Sequence, residues 1–296
     1  MTWRIVVVNQ HSKLSYQNNA LIYKSANRIE KIHLSEIHTL MLETTDIVIT
    51  SALVAKLISY KIKLIFCDEK RLPSAELQAY YGSHDSSRAI AQQIAWSEDI
   101  QATVWTAVIK QKITNQARHL KSQGLETEYG MLVGYINELN LYDESNREGH
   151  AAKVYFNGLF GKNFTREQTN DINASLDYGY ALLLSIFSRE IVKNGCLTQL
   201  GLKHSNVFNH YNLASDLMEP FRPLIDEIVY CNRIEEFPKI KRQLFEIYNR
   251  TYHFEGQDKY LINIAEIYVK KVIDCLHKAS NEVPIFEYTW ENMEKV

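Results

Sequence analysis

The 296-residue sequence has few cysteines, few prolines and no long hydrophobic run. Its four cysteines show no C-x-x-C spacing, which argues against a zinc knuckle or a disulfide scaffold and is typical of a reducing cytoplasm. No segment approaches the roughly 18 apolar residues that a membrane span needs. The apolar stretch near the start is too short for a signal peptide. We therefore expect a soluble, cytoplasmic protein that does not associate with membranes.

A strong charge of either sign is also absent. Lys and Arg number 33 against 35 Asp and Glu, so the formal net charge is −2. This balance excludes a protein that coats nucleic acid through overall positive charge, but it is compatible with a local basic groove because steering depends on the local field. With 46% hydrophobic and 23% charged residues, the composition argues against disorder, collagen or coiled coil as the main architecture.

The first part of the chain alternates with the period of β-strands. The predicted strands cover residues 3–8, 13–17, 20–24, 29–34, 37–42, 47–50 and 63–67. Asn18 and Asn19 between two of them predict a hairpin turn, because Asn tolerates a positive φ angle. One short helix is predicted among these strands, from its expected cap Ser51 to Tyr60. This region is therefore predicted to be a compact β domain.

From about Ser86 onward the hydrophobic period is that of helices. The predicted helices cover residues 97–123, 127–139, 173–194, 213–234, 239–252 and 258–279. A proline, a glycine and several serines interrupt both periods, which places the linker between Arg71 and Asp85. The sequence thus predicts an α+β fold with a small N-terminal β domain, residues 1–85, followed by a larger all-α C-terminal domain, residues 86–296.

The sequence SNREGH, residues 145–150, opens a further predicted helix and holds the first candidate for chemistry. Ser145 and Glu148 have the S-x-x-E spacing of a capping box, in which side chains satisfy the N–H groups of the first helical turn. Gly149 in that turn costs up to about 1 kcal/mol relative to Ala, which suggests that another group approaches the backbone closely there. Capping and a functional carboxylate are both compatible with this pattern.

Two further segments carry polar residues in unusual settings. The loop-like sequence GLKHSN contains His204, whose alternative role is that of an ordinary surface or core histidine. In SDLMEPFRP, Asp216 and Glu219 are three apart and are neighbours on one helix face, although D-x-x-E is also a capping pattern. Two prolines in this run would cost roughly 3 kcal/mol each inside a helix, so we expect a specially shaped backbone. Arg222 is placed to pair with Glu219 or to contact a phosphate.

Two carboxylates and one imidazole are a donor set that suits a divalent ion acting on a phosphodiester. Oxygen ligands suit Mg²⁺ or Mn²⁺, and an imidazole favours Mn²⁺ or a transition metal. Residue spacing by itself leaves a metal site and helix capping as open alternatives.

Four sequence blocks in order give the chain a specific resemblance. They are REGHAAKVYF at residues 147–156, DINASLDYGY at 171–180, GLKH at 201–204 and NLASDLMEPFRP at 212–223. Here, and over essentially its whole length, the chain resembles the CRISPR-associated Cas one family of integrases and endonucleases that insert new spacers. The last block is most similar to members from type II CRISPR systems. Asp177 departs from the family pattern, which commonly has Asn at this position, and this bears on local hydrogen bonding only.

The resemblance implies a metal-dependent DNA integrase and endonuclease. It places the catalytic residues and metal ligands on Glu148, His204 and Glu219, with Mg²⁺ or Mn²⁺ as the ion and Asp216 lining the site behind them. It implies that the 3′-hydroxyl of a short DNA fragment attacks a phosphodiester at the repeat boundary by transesterification. If the three side chains bind one ion, their ligand atoms are expected within about 5 Å of a common point.

The resemblance also implies partners. The β domain is expected to form a homodimer, and two such dimers are expected to flank a dimer of a small companion Cas subunit, with further type II CRISPR proteins as additional partners. The DNA partners are short double-stranded fragments and the repeat array. DNA contacts are expected from Lys153, Lys203 and Arg222, although a solvated surface is the alternative role for such residues. Further basic residues near the site are Lys162, Arg166, Arg189 and Lys193.

Two other functions would use the same residues differently. A metal-dependent DNA nuclease or phosphohydrolase would hold the same ligands with water as the nucleophile, and would yield shortened rather than joined strands. A non-catalytic DNA-binding assembly subunit would use its acidic residues only as helix caps. That subunit would show no metal dependence and would tolerate Glu148→Gln.

Overall fold

A computed structural model describes residues 4–69, 71, 73–77, 85–280 and 282–288 of the chain. The chain forms two compact units, Met1–His84 and Asp85–Val296. β-Sheets dominate the first unit, and the second is mostly helical. The predicted α+β class is confirmed.

The described part of the first unit contains two four-stranded sheets, one α-helix and a short 3-10 helix, Leu34–Glu36. The strands are β1 (Arg4–Val8), β2 (Ser12–Gln17), β3 (Ala20–Lys24), β4 (Ile29–His33), β5 (Ile37–Leu42), β6 (Ile47–Ile49), β7 (Lys63–Cys67) and β8 (Pro73–Leu77), and helix α1 (Ser51–Ser59) follows β6. One sheet has the order β1-β5-β7-β8 with only β8 antiparallel, and the other has the order β4-β3-β2-β6 with β6 parallel to β2. Strand β5 is buried along its whole length, as expected for a strand with parallel neighbours on both sides.

The local signals of this unit are mostly confirmed. Asn18 and Asn19 have φ angles of 47° and 59° and join β2 to β3 in a two-residue hairpin. Helix α1 is capped by Thr50, whose side chain accepts from Leu53 N, and not by Ser51, which is its first residue. Trp3, predicted to begin the first strand, lies outside the described residues.

Strand β8 lies in the segment that was predicted to be the linker. It pairs with β7 in antiparallel register, from Cys67 opposite Pro73 to Leu64 opposite Leu77. Pro73 starts a strand at the edge of its sheet, where the missing N–H costs no ladder hydrogen bond. A proline therefore marked a strand start and not a linker. The predicted linker residues 78–84 lie outside the described residues.

The described helices of the second unit are α2 (Ser86–Ile94), α3 (Glu98–Ser122), α4 (Glu126–Glu138), α5 (Arg147–Phe160), α6 (Asp171–Lys193), α7 (Asn212–Leu217), α8 (Arg222–Cys231), α9 (Phe237–Leu244) and α10 (Leu261–Lys278). The two longest begin at side-chain caps, with Ser97 accepting from Ile100 N and Asn170 from Asn173 N. Both are extensively buried, and they support the shorter elements that carry polar residues. Within the described residues, no helix is both long and apolar enough to cross a membrane.

The helical unit is not purely α-helical. Strands β9 (Thr251–Phe254) and β10 (Gln257–Tyr260) form an antiparallel hairpin, which replaces the end of the helix predicted over 239–252 and the start of the one predicted over 258–279. Glu255 and Gly256 turn the chain with φ angles of 51° and 74°, and residues of β9 alternate between exposed and buried. Because this strand is short, its period-2 signal was obscured by the helical patterns on either side.

The helix predicted over residues 213–234 is interrupted at its prolines. Pro220 lies in a 3-10 turn, Glu219–Phe221, and Pro223 lies in the first turn of α8. Both positions tolerate a missing N–H, so the cost of interior prolines does not arise. The specially shaped backbone expected here is a change from α-helix to 3-10 turn and back, with Glu219 at its start.

Candidate metal centre

Two predicted carboxylates converge on one lysine of helix α3. Glu148 is in the first turn of α5, and Glu219 begins the 3-10 turn between α7 and α8. Lys112 Nζ is 2.6 Å from Glu148 Oε1 and 2.6 Å from Glu219 Oε2. The two carboxylate oxygens therefore lie within twice that distance of each other, although they come from separate parts of the chain.

Asp143 positions Glu148 by capping α5. The backbone N–H groups of Arg147 and Glu148 donate to Asp143 Oδ1 and Oδ2, at 2.7 and 3.0 Å. Asn146, at the cap position, has a left-handed φ of 54° and makes no side-chain cap bond. The predicted capping box of Ser145 and Glu148 is therefore wrong. The Glu148 side chain, not needed as a cap, faces α3 instead.

Glycines allow two close approaches around the centre. A Cβ on Gly149 would lie 2.7 Å from Asn146 Oδ1, so the close approach inferred there is made by a side chain of the same chain. A Cβ on Gly201 would lie 2.7 Å from Asp216 Oδ2. The glycine of the GLKH block is therefore needed for its loop to fold over that carboxylate.

Asp216 is fully buried in α7 and holds the loop that carries His204. Its Oδ1 is 2.5 Å from His204 Nδ1, and its Oδ2 accepts from the backbone N–H of Leu202 at 2.6 Å and of Lys203 at 3.2 Å. Asp216 thus caps this loop and not a helix, so the D-x-x-E capping interpretation is wrong. Because an ionised carboxylate only accepts, Nδ1 carries the proton and the lone pair of a neutral ring is on Nε2. A carboxylate orients metal-binding histidines in this way.

The pKa of His204 reflects these neighbours. The hydrogen bond with Asp216 raises the pKa of the imidazole above its ordinary value, burial opposes that rise, and the charges of Glu219 and Glu148 add to it. Both carboxylates are therefore close enough to His204 to act on its ring electrostatically.

Glu219 is the most deeply buried of the three predicted ligands, with a side chain 3% exposed. Burial alone raises the pKa of its carboxyl, but Arg222 and Lys112 outweigh burial and hold that pKa below its usual value. Arg222 Nε lies 2.9 Å from Glu219 Oε1. Glu219 Oε2 is buried and has no well-directed hydrogen bond to the described residues, only its ion pair with Lys112. A buried carboxylate oxygen that lacks a well-directed hydrogen bond is suited to binding a cation.

The donors therefore fit a divalent ion, but the arrangement does not yet form a complete ligand cage. The carboxylates of Glu148 and Glu219 and Nε2 of His204 are donors suited to Mg²⁺ or Mn²⁺. Among the described residues, no three His, Cys, Asp or Glu side chains stand close enough together to hold an ion. The ammonium of Lys112 lies between the two carboxylates instead.

Sequence reasoning missed Lys112 and Asp143. Lys112 follows Val104 and Val108 at intervals of four, so the helical repeat places it on the same face as two fully buried valines. A lysine on the apolar face of a predicted helix was the sequence signal that could have identified Lys112. Asp143 lies in a 3-10 turn and has a φ angle of 49°. The S-x-x-E pattern instead predicted Ser145, two residues later, as the cap of this helix.

The three predicted DNA-contact residues have different surroundings. Lys153 is exposed on α5. Lys203 Nζ donates to the carbonyl oxygen of Tyr142 at 3.1 Å and lies 3.8 Å from the centre of its ring. Arg222 pairs with Glu219 and lies 4.5 Å from the ring centre of Tyr180. Contact of these residues with DNA stays a prediction.

Several other basic residues that flank the site residues in the sequence are paired with acidic ones. Arg166 pairs with Asp177, and both Arg189 and Lys193 pair with Glu190. The departure of Asp177 from the family pattern therefore gives Arg166 an ionic partner. These pairs favour a structural role for this part of the basic set.

A second buried carboxylate lies behind Glu219. Tyr180 OH donates to Asp226 Oδ1, and the ring of Tyr180 lies beneath Arg222, which pairs with Glu219. Burial raises the pKa of Asp226 to about 6, although hydrogen bonds from Tyr180 and Tyr155 and the charge of Arg222 oppose the rise. Through the ring of Tyr180, this network contacts Arg222 and so helps to hold its guanidinium in place.

We expect Asp226→Asn to make the stability of the protein less dependent on pH. An unfolded Asp titrates near 3.9, whereas Asp226 in the folded protein has a pKa of about 6. The folded state therefore binds this proton more tightly, and ionisation of Asp226 costs the wild type about 3 kcal/mol of stability as pH rises from 4 to above 6. Asn does not ionise and keeps an oxygen to accept from Tyr180.

Denaturant unfolding of both proteins between pH 4 and pH 8 measures this effect. The difference in free energy of unfolding should shift in favour of Asp226→Asn as pH rises. Asp171→Asn, at an exposed position, controls for the loss of one negative charge. A difference between Asp226→Asn and wild type that is constant over this pH range would contradict the prediction.

The fold and site together define a two-unit α+β protein whose helical unit carries a candidate divalent-ion centre. The chain belongs to the Cas1 family, since the family described as "CRISPR associated protein Cas1" matches residues 5–247. A CRISPR-associated endonuclease Cas1 of Neisseria meningitidis serogroup C (strain 8013) is 34% identical over 261 residues, covering 86% of this chain and 84% of the relative. The resemblance stated from the sequence is thereby confirmed.

Two solved structures share the fold. A casposase bound to integration product matches with a TM-score of 0.81 and 16% identity, over 100% of this chain and 96% of that chain. A chain of a Cas6-RT-Cas1–Cas2 complex matches with a TM-score of 0.76 and 18% identity over 98% of this chain. This chain spans 36% of the length of that longer one. At 18% and 16% identity, these structural matches show that the chain shares the fold, and no more.

Proposed function

We propose that the protein is a metal-dependent DNA integrase and endonuclease of CRISPR adaptation. The observation that carries the proposal is the convergence of Glu148 and Glu219 on one cation in a member of the Cas1 family. Asp216 and His204 add the carboxylate–imidazole pair that often accompanies a metal. A relative named an endonuclease and a structural neighbour bound to integration product support strand cleavage and strand joining.

In this proposal Glu148, His204 and Glu219 hold Mg²⁺ or Mn²⁺. The 3′-hydroxyl of a short DNA fragment attacks a phosphorus atom of the repeat array, one P–O bond forms and another breaks, and the leaving oxygen becomes a new 3′-hydroxyl. The ion supplies polarisation of the phosphoryl oxygen and neutralises developing charge. Water in place of the 3′-hydroxyl gives strand cleavage by hydrolysis.

The chain's own residues prepare these donors. Asp216 holds the proton of His204 on Nδ1 and so keeps Nε2 available as a donor. Arg222 fixes the Glu219 carboxylate through Oε1, and the ring of Tyr180 supports the guanidinium. Both ligands are thereby oriented before substrate arrives, which reduces the cost of ordering them during the reaction.

DNA binding is proposed to come from local positive side chains, because the net charge of the chain is −2. Lys153 is exposed on the helix that carries Glu148, and Lys203 precedes His204. Contacts of such residues with phosphates position DNA without reading its sequence. The short fragments and the repeat array would therefore be held near the centre by a few residues.

We further propose a cytoplasmic homodimer formed through the β unit, and two such dimers that flank a dimer of a small companion Cas subunit. Structural neighbours described as Cas1–Cas2 complexes support the companion. Further type II CRISPR proteins are proposed as partners from the sequence resemblance. Sedimentation at micromolar concentration tests the dimer, and a monomer alone would contradict it.

A strand-transfer assay tests the proposed function. A labelled fragment, a repeat-containing plasmid and the companion subunit are incubated with Mn²⁺ or with a chelator. Joined strands should appear only with Mn²⁺ and should be lost in His204→Ala. His210→Ala, at an exposed position on the same loop, is the matched control and should keep activity. Joining in the presence of chelator would contradict the proposal, and shortened strands alone would favour the nuclease.

A further inference from the structure

Lys112 is a cation held inside the candidate metal centre. Its side chain is 10% exposed, and its ammonium contacts one oxygen of Glu148 and one of Glu219, each at 2.6 Å. The contact with Glu148 is a hydrogen bond, whereas the contact with Glu219 is an ion pair. Lys112 thus neutralises, and holds together, the two carboxylates that are proposed to bind an ion.

A divalent ion bound by both carboxylates would need the space around these same oxygens. Mg²⁺ binds carboxylate oxygens at about 2.1 Å, so an ion on Glu148 Oε1 and Glu219 Oε2 would lie close to the present position of Lys112 Nζ. A protonated amine has no lone pair and cannot become a ligand of that ion. Two positive charges at such a distance in a buried site repel strongly. Lys112 in its present position and a bridging ion therefore exclude each other.

Of the two cations on Glu219, Lys112 is the one that can leave. The guanidinium of Arg222 is held by Glu219 Oε1 on one side and by the ring of Tyr180 on another. The Lys112 ammonium is attached to a flexible four-carbon stem. Rotation about the bonds of that stem can carry the charge away from the carboxylates while the backbone of α3 stays in place.

We propose that Lys112 occupies the cation position of this centre when no divalent ion is bound, and withdraws when the ion enters. The proposal rests on the divalent-ion site of the proposed function. In the metal-free protein, the Lys112 ammonium contacts both carboxylates and holds them close together. During binding, the ion must displace Lys112, so this residue lowers the affinity of the centre for the ion.

Calorimetric titration with Mn²⁺ alone tests the exchange. Lys112→Met removes the charge and keeps an unbranched side chain, so it should bind Mn²⁺ at least tenfold more tightly than wild type. Its melting temperature should be lower than that of wild type without metal, and Mn²⁺ should recover most of the loss. Lys110→Met, exposed on the same helix, is the matched control and should change neither quantity. Equal or weaker Mn²⁺ binding by Lys112→Met would overturn the proposal.

Two further variants keep the test decisive. Lys112→Arg should weaken Mn²⁺ binding because a planar guanidinium can hold both carboxylates more firmly; tighter binding would overturn the exchange. Glu219→Gln separates the exchange from the proposed function. If it abolishes Mn²⁺ binding while Lys112→Met gains none, the exchange alone fails. If Glu219→Gln binds Mn²⁺ like wild type, the proposed metal site fails and the exchange with it.

Discussion

Glu219→Gln is expected to lower strand transfer by orders of magnitude, and excess Mn²⁺ should recover little of the activity. A divalent ion requires deprotonated oxygen donors, and an amide removes the negative charge while keeping the shape. The substitution should also destabilise the metal-free protein. Glu219 is 3% exposed and is the partner of both Lys112 and Arg222, and removing one partner of a buried ion pair costs about 3–5 kcal/mol.

Glu148→Gln separates these two effects. Glu148 is 24% exposed and pairs with Lys112, so its loss should destabilise less than the loss of Glu219. Strand transfer should nevertheless fall by a similar factor. Both variants are assayed at a temperature at which circular dichroism shows them folded. Near wild-type strand transfer by either folded variant would exclude the corresponding carboxylate as a ligand.

Asp216→Asn is expected to have the next largest effect, through His204. An amide has one acceptor oxygen, whereas Asp216 uses one oxygen for His204 and the other for the backbone of Leu202 and Lys203. Mn²⁺ affinity should fall about 10–100-fold because the ring loses its orienting partner. Stability should fall by about 1–3 kcal/mol because a buried group loses a hydrogen-bond partner.

High Mn²⁺ should restore much of the activity of Asp216→Asn, since all three proposed ligands are still present. This recovery distinguishes a positioning residue from a ligand such as Glu219. Ser215→Ala, the adjacent substitution in α7, controls for general disturbance of this helix. Failure of high Mn²⁺ to restore a folded Asp216→Asn protein would show that Asp216 does more than orient His204.

Local sequence signals succeeded where neighbouring residues decide the structure. The turn at Asn18 and Asn19 was predicted correctly because these two side chains tolerate the positive φ angles that the hairpin needs. The predicted helix start at Ser97, whose side chain caps α3, is likewise a local effect. Both features depend on φ preferences and on hydrogen bonds within one turn of the chain.

Local signals failed where several local solutions were available. The spacing of Ser145 and Glu148 satisfies the capping-box pattern, yet Asp143 caps α5 from an unusual 3-10 turn. The outer residues of the β9–β10 hairpin were predicted as the ends of two helices because each strand is only four residues long. In both cases tertiary packing selected one of two locally acceptable arrangements.

The sequence by itself determined the change from strand period to helix period, and the four ordered blocks that carry Glu148, His204 and Glu219. These features depend on residues that are close together in the sequence, so they can be recognised without the tertiary structure. Only the tertiary structure decided that Lys112 joins Glu148, 36 positions away, to Glu219. Its role follows from burial: an ammonium removed from water needs opposite charges around it, and only folding shows which carboxylates supply them.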